Sequence, residues 1–282
     1  MTKIACAVDE VTRLTPGEIK AILDRDEKGE FLLLDVRQPE EYEAGHIPGA
    51  TLIPLGELEA RHGELDRNRN IIAYCRSGRR SMAAAIALCG LGFKGLYHLD
   101  GGILAWHYEA IAGIPEARPD LVTEAADVRD VLVLAIKLEK GSRDFYVAAR
   151  DRVGSPKVRE TLQMLAEAEE VHMHKLYQRA ASLLPKGAIA SLEKLERELK
   201  VEHMEGGIEI APALAEVQAK FADEMEALEI ALEKEYMSYD FYKRTSALVA
   251  NPDAKATLHE LAVEERNHAD MLLMRLAELV RQ

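Results

Sequence analysis

Residues 162–172 read LQMLAEAEEVH, and residues 258–268, which lie 96 positions further along the chain, read LHELAVEERNH. Both segments place two Leu, one Ala, one Glu and one His at the same spacing. Because residues three and four positions apart share one face of an α-helix, the Leu and Ala side chains predict a buried stripe. The Glu and the His fall on that same stripe. The sequence therefore predicts two related helices that direct a Glu-x-x-His pair into a core.

The repeat extends upstream at the same offset and aligns Glu139 with Glu235. In each copy a turn that ends in proline separates two predicted helices. The proline is expected to start the second helix, because proline is favoured in the first turn of a helix. Two such helical hairpins predict a four-helix bundle. The connection between them, residues 185–213, contains Gly and Pro residues that interrupt helices, with one helix predicted near residues 189–203.

Carboxylate and imidazole side chains occupy positions where the core of a bundle is normally apolar. The candidates are Glu139, Glu169, His172, Glu235, Glu265 and His268. Burying unpaired carboxylates is costly, so we expect two divalent metal ions to compensate their charge. A carboxylate-rich set with two imidazoles suits iron or manganese, and zinc is an alternative. The simpler interpretation is that these are solvated side chains on ordinary amphipathic helices.

The order Glu, Glu-x-x-His, Glu, Glu-x-x-His over residues 128–282 resembles the ferritin-like di-iron carboxylate proteins, and the rubrerythrin branch in particular. The resemblance implies that Glu169 and Glu265 bridge two iron ions, that the other two Glu residues bind terminally, and that each His caps one metal. The chain departs from rubrerythrins at Ser238, where they carry a further carboxylate. It also lacks the Cys-x-x-Cys electron-entry module of rubredoxin type.

Other polar residues of the second half are assigned simpler roles. Tyr146 and Tyr242 are expected in the core, each with a hydrogen-bonded hydroxyl. Four residues fall off the apolar stripes and are expected at the surface: Glu167, Glu170, His174 and Glu264.

The first half of the chain contains a cysteine at a predicted strand-to-helix turn. Residues 70–74 form an apolar run typical of a buried strand, Cys75 follows it, and a helix is predicted from Met82 to Cys89. Backbone N–H groups of the turn, the helix N-terminus and the arginines favour the thiolate and would bind a small anion beside it. The turn consists of Arg76, Ser77, Gly78, Arg79, Arg80 and Ser81. This pattern favours nucleophilic attack by sulfur on an anionic sulfur donor, and the alternative is a buried inert cysteine.

Motifs around this cysteine resemble those of rhodanese domains. They are LLLDVR at 32–37, GHIPGA at 45–50, CRSGRRS at 75–81 and YHLDGG at 97–102. The resemblance covers about residues 10–115 and implies that Cys75 takes a sulfane sulfur from a donor such as thiosulfate. The resulting persulfide would pass the sulfur to a thiol or to cyanide. The short loop suits a small sulfur donor better than the longer loop of phosphatase relatives, and Asp35 and Arg37 would support the loop.

The spacing of apolar residues and of Gly/Pro-rich turns changes near residue 118, which predicts a multidomain fold. Before it, short apolar runs alternate with Gly/Pro-rich turns, which is typical of an α/β domain with a mainly parallel sheet. After it, long windows repeat apolar residues at helical spacing, which predicts an all-α ferritin-like four-helix bundle. We expect a rhodanese-like domain over 1–118, a linker over 119–127 and the bundle over 128–282.

Composition narrows the classes of partner and location. The chain has 282 residues and a net charge of −13 without a basic stripe, which argues against a nucleic acid or an anionic membrane as partner. It contains no uninterrupted apolar run of about 18 residues and no recognisable secretory signal, so a cytoplasmic location is expected. Three cysteines are too few for a disulfide framework.

Together these features predict an enzyme of the thiosulfate sulfurtransferase type, joined to a di-iron oxidoreductase-like domain that handles peroxide, oxygen or reduced sulfur. The expected partners are a small sulfur-containing anion and a thiol acceptor, and analogy with the family predicts a homodimer. One alternative is a metal-storing or peroxide-sensing bundle that regulates the sulfurtransferase. Another is a bundle that serves only as a dimerisation scaffold.

Overall fold

The computed structural model describes residues 11–26, 28–112, 122–123, 125–215, 217, 221 and 223–280. The chain divides into two compact units, Met1–Ala117 and Arg118–Gln282. Part of the predicted linker 119–127 lies outside the described residues. Among the described helices, none combines the length and the apolar content that crossing a membrane requires.

The first unit is built on a five-stranded parallel sheet with the order β1-β5-β4-β2-β3. The strands are β1 Val11–Leu14, β2 Phe31–Asp35, β3 Ala50–Leu52, β4 Asn70–Tyr74 and β5 Leu96–Leu99. The helices are α1 Pro16–Arg25, α2 Pro39–Glu43, α3 Leu58–Arg61 and α4 Arg79–Gly90. Apolar side chains of α3 and α4 pack into one core cluster of the sheet, and those of α1 and α2 pack into another. This arrangement confirms the predicted α/β fold, because strands of a parallel sheet need helices on both faces.

The cysteine turn lies at the carboxyl end of β4, which is flanked by β5 and β2. Helix α4 begins at Arg79, three residues before the predicted start at Met82. Gly78 makes the early start possible because its φ of 91° is a left-handed conformation that favours glycine. Residues 79–81 therefore form the first turn of α4, and the N–H of Ser81 lies near the sulfur.

Four long helices form the second unit and confirm the predicted bundle. They are α5 Val128–Arg150, α6 Pro156–Leu183, α9 Glu224–Leu248 and α10 Pro252–Val280. Each begins beside a side chain whose oxygen accepts a hydrogen bond from a backbone N–H of the first turn. The capping residues are Asp127, Ser155, Asp223 and Asn251. Short turns join α5 to α6 and α9 to α10, so each pair forms a helical hairpin.

The connection between the two hairpins differs from its prediction. A helix expected near 189–203 is confined to α7, Leu192–Glu198. A two-stranded antiparallel hairpin follows, with β6 His203–Met204 and β7 Ile208–Glu209 joined by a 3₁₀ turn, Glu205–Gly207. Helix α8, Ile210–Ala215, comes next. Residues Gly206 and Gly207 both have positive φ, so the chain turns here instead of continuing a helix.

Two apolar clusters, rather than one, fill the bundle. On α5 the first cluster ends at Leu138 and the second begins at Phe145. Glu139 and Ser142 lie between them, and both are buried. The buried polar residues on α5 thus form a layer between apolar layers, which is where the ligands were predicted.

Candidate active-site loop and candidate metal centre

The loop after β4 wraps its backbone around the sulfur of Cys75. Cys75 is 1% exposed, and the Gly78 N–H donates to its Sγ at 3.2 Å. Arg76, Ser77 and Arg79 are exposed at the surface of the loop. The sulfur is therefore buried, and of the six residues expected to bind an anion these three face solvent, whereas Gly78 and Ser81 are buried and Arg80 is half-buried.

The electrostatics of the loop favour the thiolate. Burial alone raises the pKa of the Cys75 thiol, but hydrogen bonds from Ser81, Ser77 and Gly78 outweigh it and lower the pKa below its ordinary value. The Ser81 hydroxyl also donates to the Gly78 carbonyl at 3.1 Å. Since a hydroxyl has one proton, Ser81 divides its donation between the sulfur and this carbonyl. The arrangement differs from that of a buried inert cysteine.

The three arginines of the loop do not have equal roles. Arg80 makes a two-point ion pair with Glu41, with Nη1 and Nη2 each 2.7 Å from a carboxylate oxygen. This contact lowers the pKa of Glu41 to about 2. Sequence reasoning missed Glu41, because nothing in the pattern of α2 points to a partner 39 residues away. Arg80 is thus held by Glu41 and also interacts with Cys75, whereas Arg76 and Arg79 are the exposed cations of the loop.

The loop is held in place from two sides. Asp35 and Arg37 are both buried and form an ion pair, with Arg37 Nη2 at 2.6 Å from Asp35 Oδ2. The Arg37 guanidinium lies 5.5 Å from the ring centre of Tyr74, the residue before the cysteine. A 3₁₀ helix, Gly102–Ala105, supports the other side. Its N–H groups donate to the carbonyls of the loop: Ile103 N to Cys75 O at 2.8 Å and Leu104 N to Arg76 O at 3.1 Å.

The six predicted metal-binding side chains come together in the bundle. They form two triads, Glu139–Glu169–His172 and Glu235–Glu265–His268, and the ligand atoms within each triad lie within 4.8 Å of one another. The two imidazole rings stack with their centres 3.9 Å apart and link the triads. All four carboxylates are at most 4% exposed, which contradicts the interpretation as solvated side chains.

Unsatisfied atoms test whether this cluster fits a metal centre. One potential ligand atom from each of the six residues is buried without a hydrogen bond of regular geometry in the described part of the chain: Glu139 Oε2, Glu169 Oε2, His172 Nδ1, Glu235 Oε2, Glu265 Oε2 and His268 Nδ1. Their nearest polar neighbours are one another, since each histidine Nδ1 lies 3.3–3.7 Å from the two carboxylate oxygens of its own triad. Buried polar atoms are nearly always hydrogen-bonded. Six carboxylate and imidazole atoms that lie together without such bonds therefore need an explanation. Oxygen and imidazole nitrogen are ligands for iron, manganese and zinc. The residues present therefore fit a pair of metal ions.

The charge of the cluster supports the same conclusion. Burial, together with the negative charges of Glu205 and Glu169, raises the pKa of Glu139 well above its ordinary value. Burial and neighbouring carboxylates also raise the pKa of Glu265. One lysine, Lys234, lies among these carboxylates, so negative charge exceeds positive charge in the cluster, and bound cations would supply the balance.

Two charged residues of the cluster were missed from the sequence. Glu205, in the 3₁₀ turn of the connection, and Lys234, beside Glu235 on α9, are 1% and 3% exposed. Lys234 Nζ lies 2.7 Å from Glu205 Oε2 and 3.1 Å from Glu169 Oε1. In the sequence, only the two glycines after Glu205 indicated a turn at its position. Nothing indicated Lys234, because it lies outside the apolar stripe that was assigned to α9.

Four residues predicted at the surface are found there, whereas one prediction about the two tyrosines fails. Glu167, Glu170, His174 and Glu264 are exposed. Tyr146 and Tyr242 are fully buried, but the prediction of hydrogen-bonded hydroxyls is wrong within the described residues, where neither hydroxyl has a partner. Burial raises the pKa of both phenols, so they are protonated near neutral pH.

A parallel sheet with a cysteine loop and a bundle with a buried Glu and His cluster define two classes of protein, rhodanese-like domains and ferritin-like proteins. The family model of the rhodanese-like domain matches residues 15–109, and the model of rubrerythrin matches residues 130–277, more than half of the chain. The chain therefore belongs to the rubrerythrin family and carries a rhodanese-like domain before the bundle. The rubrerythrin match implies a di-iron module.

Curated relatives match the first unit. A sulfurtransferase from Allochromatium vinosum is 37% identical over 32% of this chain and 82% of its own length. A putative sulfurtransferase from Bacillus subtilis, YtwF, is 35% identical over 36% of this chain and 94% of its own length. An HTH-type transcriptional regulator from Mycobacterium tuberculosis, Rv0324, is 45% identical over 33% of this chain. The match spans 41% of that regulator, so the chain covers less than half of its length.

Solved structures also match the first unit. A rhodanese-related protein from Thermoplasma volcanium is 27% identical with a TM-score of 0.33, over 36% of this chain and 99% of that one. The Bacillus anthracis CoADR-RHD structure is 33% identical with a TM-score of 0.32, over 35% of this chain and 17% of that one. The sulfurtransferase names among the curated relatives support a rhodanese-type enzyme.

Proposed function

We propose that this chain transfers sulfane sulfur through a persulfide on Cys75. The thiolate attacks the outer sulfur of a small anionic donor such as thiosulfate, the sulfur–sulfur bond of the donor breaks, and sulfite leaves with the electron pair. A thiol or cyanide then attacks the terminal sulfur of the persulfide, and the Cys75 thiolate leaves. Each step is a displacement at sulfur, so the cycle consumes no external oxidant or reductant.

The loop around the sulfur is the observation that carries this proposal. Amide N–H groups aimed at Sγ stabilise the thiolate before attack and again when it leaves. Arg76 and Arg79 are exposed beside it and would attract a dianionic donor. The sulfurtransferase relatives, aligned over most of their own length, support the same chemistry.

Replacement of the nucleophile tests the proposal. In the full chain, Cys75→Ser should abolish thiocyanate formation from thiosulfate and cyanide, and intact-mass analysis after thiosulfate treatment should show no added sulfur atom. Arg76→Ala combined with Arg79→Ala should raise the KM for thiosulfate and leave persulfide formation possible at high donor concentration. Arg129→Ala, an exposed arginine of the other unit, is the matched control. Undiminished thiocyanate production by Cys75→Ser would reject Cys75 as the nucleophile.

We further propose that the bundle holds two metal ions, iron first and manganese or zinc as alternatives. Glu139, Glu169 and His172 would hold one ion, and Glu235, Glu265 and His268 the other. Two adjacent iron ions would supply electron-transfer chemistry toward peroxide, oxygen or reduced sulfur. The residues of the chain keep the ions apart from bulk water, because apolar clusters lie on both sides of the cluster.

Metal counting separates the alternatives for the bundle. After anaerobic iron loading and desalting, about two metal ions per chain are expected. Binding of none would leave the dimerisation scaffold as the function of the bundle, and light scattering would then report whether the chain is a homodimer. Turnover of peroxide with an electron donor would identify a catalyst, whereas binding without turnover would favour storage or sensing.

The two activities are proposed to be linked, since one chain keeps both sites at high effective concentration. Thiosulfate added to the iron-loaded protein should then change its optical spectrum. Cys75→Ser is the control, because it cannot carry the persulfide. A spectrum that stays constant during sulfur transfer would argue against the link.

A further inference from the structure

The connection between the two hairpins delivers a carboxylate to the centre of the metal cluster. Glu205 groups with Glu139 and Glu265 and also with Glu169 and Glu235, with the ligand atoms of each group within 4.8 Å. It is therefore close to carboxylates of both triads. No helix of the bundle carries it, since it lies in the 3₁₀ turn between β6 and β7.

The two oxygens of Glu205 have different surroundings. Oε2 accepts hydrogen bonds from Ser142 Oγ at 2.8 Å and from Lys234 Nζ at 2.7 Å. The backbone N–H of Glu205 donates to the same Ser142 oxygen at 3.2 Å. Oε1 is buried and has no hydrogen-bond partner among the described residues. Oε2 is thus held by hydrogen bonds. Oε1 has none among the described residues, and in this it resembles one ligand atom of each of the six predicted ligands.

Small residues admit this segment between α5 and α9. A Cβ on Gly141 of α5 would lie 2.2 Å from His203 O and 2.9 Å from Met204 Cα, so only glycine allows the backbone of β6 to approach this closely. A Cβ on Gly206 would lie 2.8 Å from the Cβ of Met237 on α9. The chain therefore packs backbone against helix on both sides of Glu205, which fixes where its side chain enters the core.

The repeat places a short side chain at the same position of both helical hairpins. Ser142 and Ser238 are 96 residues apart and occupy the same position in the two copies, three residues after Glu139 and Glu235. Both serines are fully buried at the level of the cluster. Their short side chains leave room at a level where a longer side chain from either helix would compete with Glu205.

The charges also balance with Glu205 included. Two divalent cations would neutralise the four helix carboxylates of the triads. Glu205 adds one negative charge, and Lys234, at 2.7 Å, adds one positive charge. A fifth carboxylate is thus accommodated without leaving an unpaired buried charge, which would be strongly destabilising.

We propose that Glu205 is a ligand of the di-metal centre, supplied by the connection rather than by the four helices, with Ser142 and Lys234 as its positioning residues. This inference rests on the proposed metal centre. It deepens that proposal, because it makes the connection part of the site and gives the centre a fifth carboxylate that the four helices do not supply.

Co²⁺ is a suitable probe, because its visible absorption depends on the number and kind of its ligands. The full chain is titrated anaerobically with Co²⁺, and the number of ions, the Kd and the spectrum are recorded for each variant. Glu205→Gln is compared with Glu209→Gln, an exposed residue of the same hairpin. A double variant, Glu205→Gln with Lys234→Gln, removes both members of the ion pair, so that an unpaired lysine cannot cause the effect by repulsion.

We expect Glu205→Gln and the double variant to bind Co²⁺ at least about tenfold more weakly and to change its spectrum, as losses around metal ligands do. Glu209→Gln should match the unaltered chain. A double variant with the unaltered Kd and spectrum would overturn the proposal and leave Glu205 as the counterion of Lys234. If the unaltered chain itself binds no Co²⁺ and no iron, the metal centre is refuted, and the inference falls with it.

A backbone variant provides a second test if the core variants fold poorly. Gly141→Ala favours the helix intrinsically but places a methyl group against β6. It should displace Glu205, weaken Co²⁺ binding and change the spectrum. Gly154→Ala, where no atom lies within 4 Å of the added Cβ, is the control. Equal Co²⁺ spectra for the two glycine variants would contradict the proposed role of the connection.

Discussion

At the scale of single residues, the sulfur of Cys75 and the carboxylates of the bundle are both buried, but different neighbours stabilise their charged forms. Hydrogen bonds from Ser81, Ser77 and Gly78 stabilise the thiolate, so that it needs no metal ion. Among the carboxylates of the bundle, burial at Glu169 is outweighed by Lys234 and His172, which lower its pKa to about 2. The pKa values of Glu139 and Glu265 are raised by burial and by neighbouring carboxylates, so cations would be needed to stabilise their charged forms. Burial is the same in both cases, and the neighbouring donors decide the chemistry.

A first prediction concerns the Ser81 hydroxyl. Ser81→Ala removes one donor to the Cys75 thiolate and leaves the backbone N–H groups in place, so the pKa of the thiol should rise toward its ordinary value. The thiolate fraction near neutral pH then falls, and alkylation of Cys75 becomes slower. The rate of alkylation by iodoacetamide as a function of pH measures this, with Ser182→Ala, an exposed serine, as control. An unchanged pH profile would show that the backbone alone sets the pKa.

A second prediction concerns the buried ion pair under the loop. Asp35→Asn leaves the buried Arg37 guanidinium without its counterion, which should destabilise the first unit by about 3–5 kcal/mol. Trp106, the single tryptophan, is buried in that unit and reports its unfolding in denaturant by fluorescence. Glu57→Gln, which breaks an exposed pair with Arg61, is the matched control and should cost about 1 kcal/mol or less. Equal costs for the two variants would contradict the assigned burial.

At the scale of elements, close backbone contacts position both sites. The 3₁₀ helix Gly102–Ala105 lies directly against the cysteine loop, and a Cβ on Gly102 would lie 2.4 Å from Cys75 O. In the bundle, Gly141 and Gly206 let the connection reach the cluster. In both units, therefore, a glycine in one element, Gly102 or Gly141, allows a close backbone approach of the segment that carries Cys75 or Glu205.

The third prediction tests this contact in the first unit. Gly102→Ala adds a methyl group that overlaps the carbonyls of Cys75 and Arg76, in a backbone conformation with φ of 63° that disfavours alanine. The loop should shift, and kcat/KM for thiosulfate should fall by tenfold or more, about 1.4 kcal/mol of transition-state stabilisation. Gly56→Ala, which meets no atom within 4 Å, should transfer sulfur normally. Comparable rates for both variants would show that the loop does not depend on the contact.

At the scale of the whole molecule, the chain consists of two compact units with separate cores and separate proposed sites. The metal cluster lies entirely within the second unit, and Trp106 lies in the first. A ligand that binds only one unit should therefore stabilise that unit.

The fourth prediction follows from this separation. Loading with iron at about 100 times its Kd should stabilise the helical unit by about 2.7 kcal/mol for each ion bound, and a chelator should reverse it. Far-UV circular dichroism follows the helices, while Trp106 fluorescence follows the first unit and should not change. The gain should decrease as the pH falls, since protons compete for the carboxylates. Glu139→Gln with Glu235→Gln should abolish the shift, whereas the exposed pair Glu167→Gln with Glu264→Gln should retain it.

Periodicity, duplication and short motifs in the sequence determined both fold classes, the cysteine turn and the six candidate ligands on the helices. Those features repeat at the spacing of a helix face or end a strand, so local pattern reveals them. Only the tertiary structure brought Glu205 and Lys234 to the cluster and Glu41 to Arg80. Glu205 and Glu41 lie 29 and 39 residues from these partners, and no regular spacing marks either pair. Their positions depend on how closely separate backbones approach, which is a property of packing and not of local sequence.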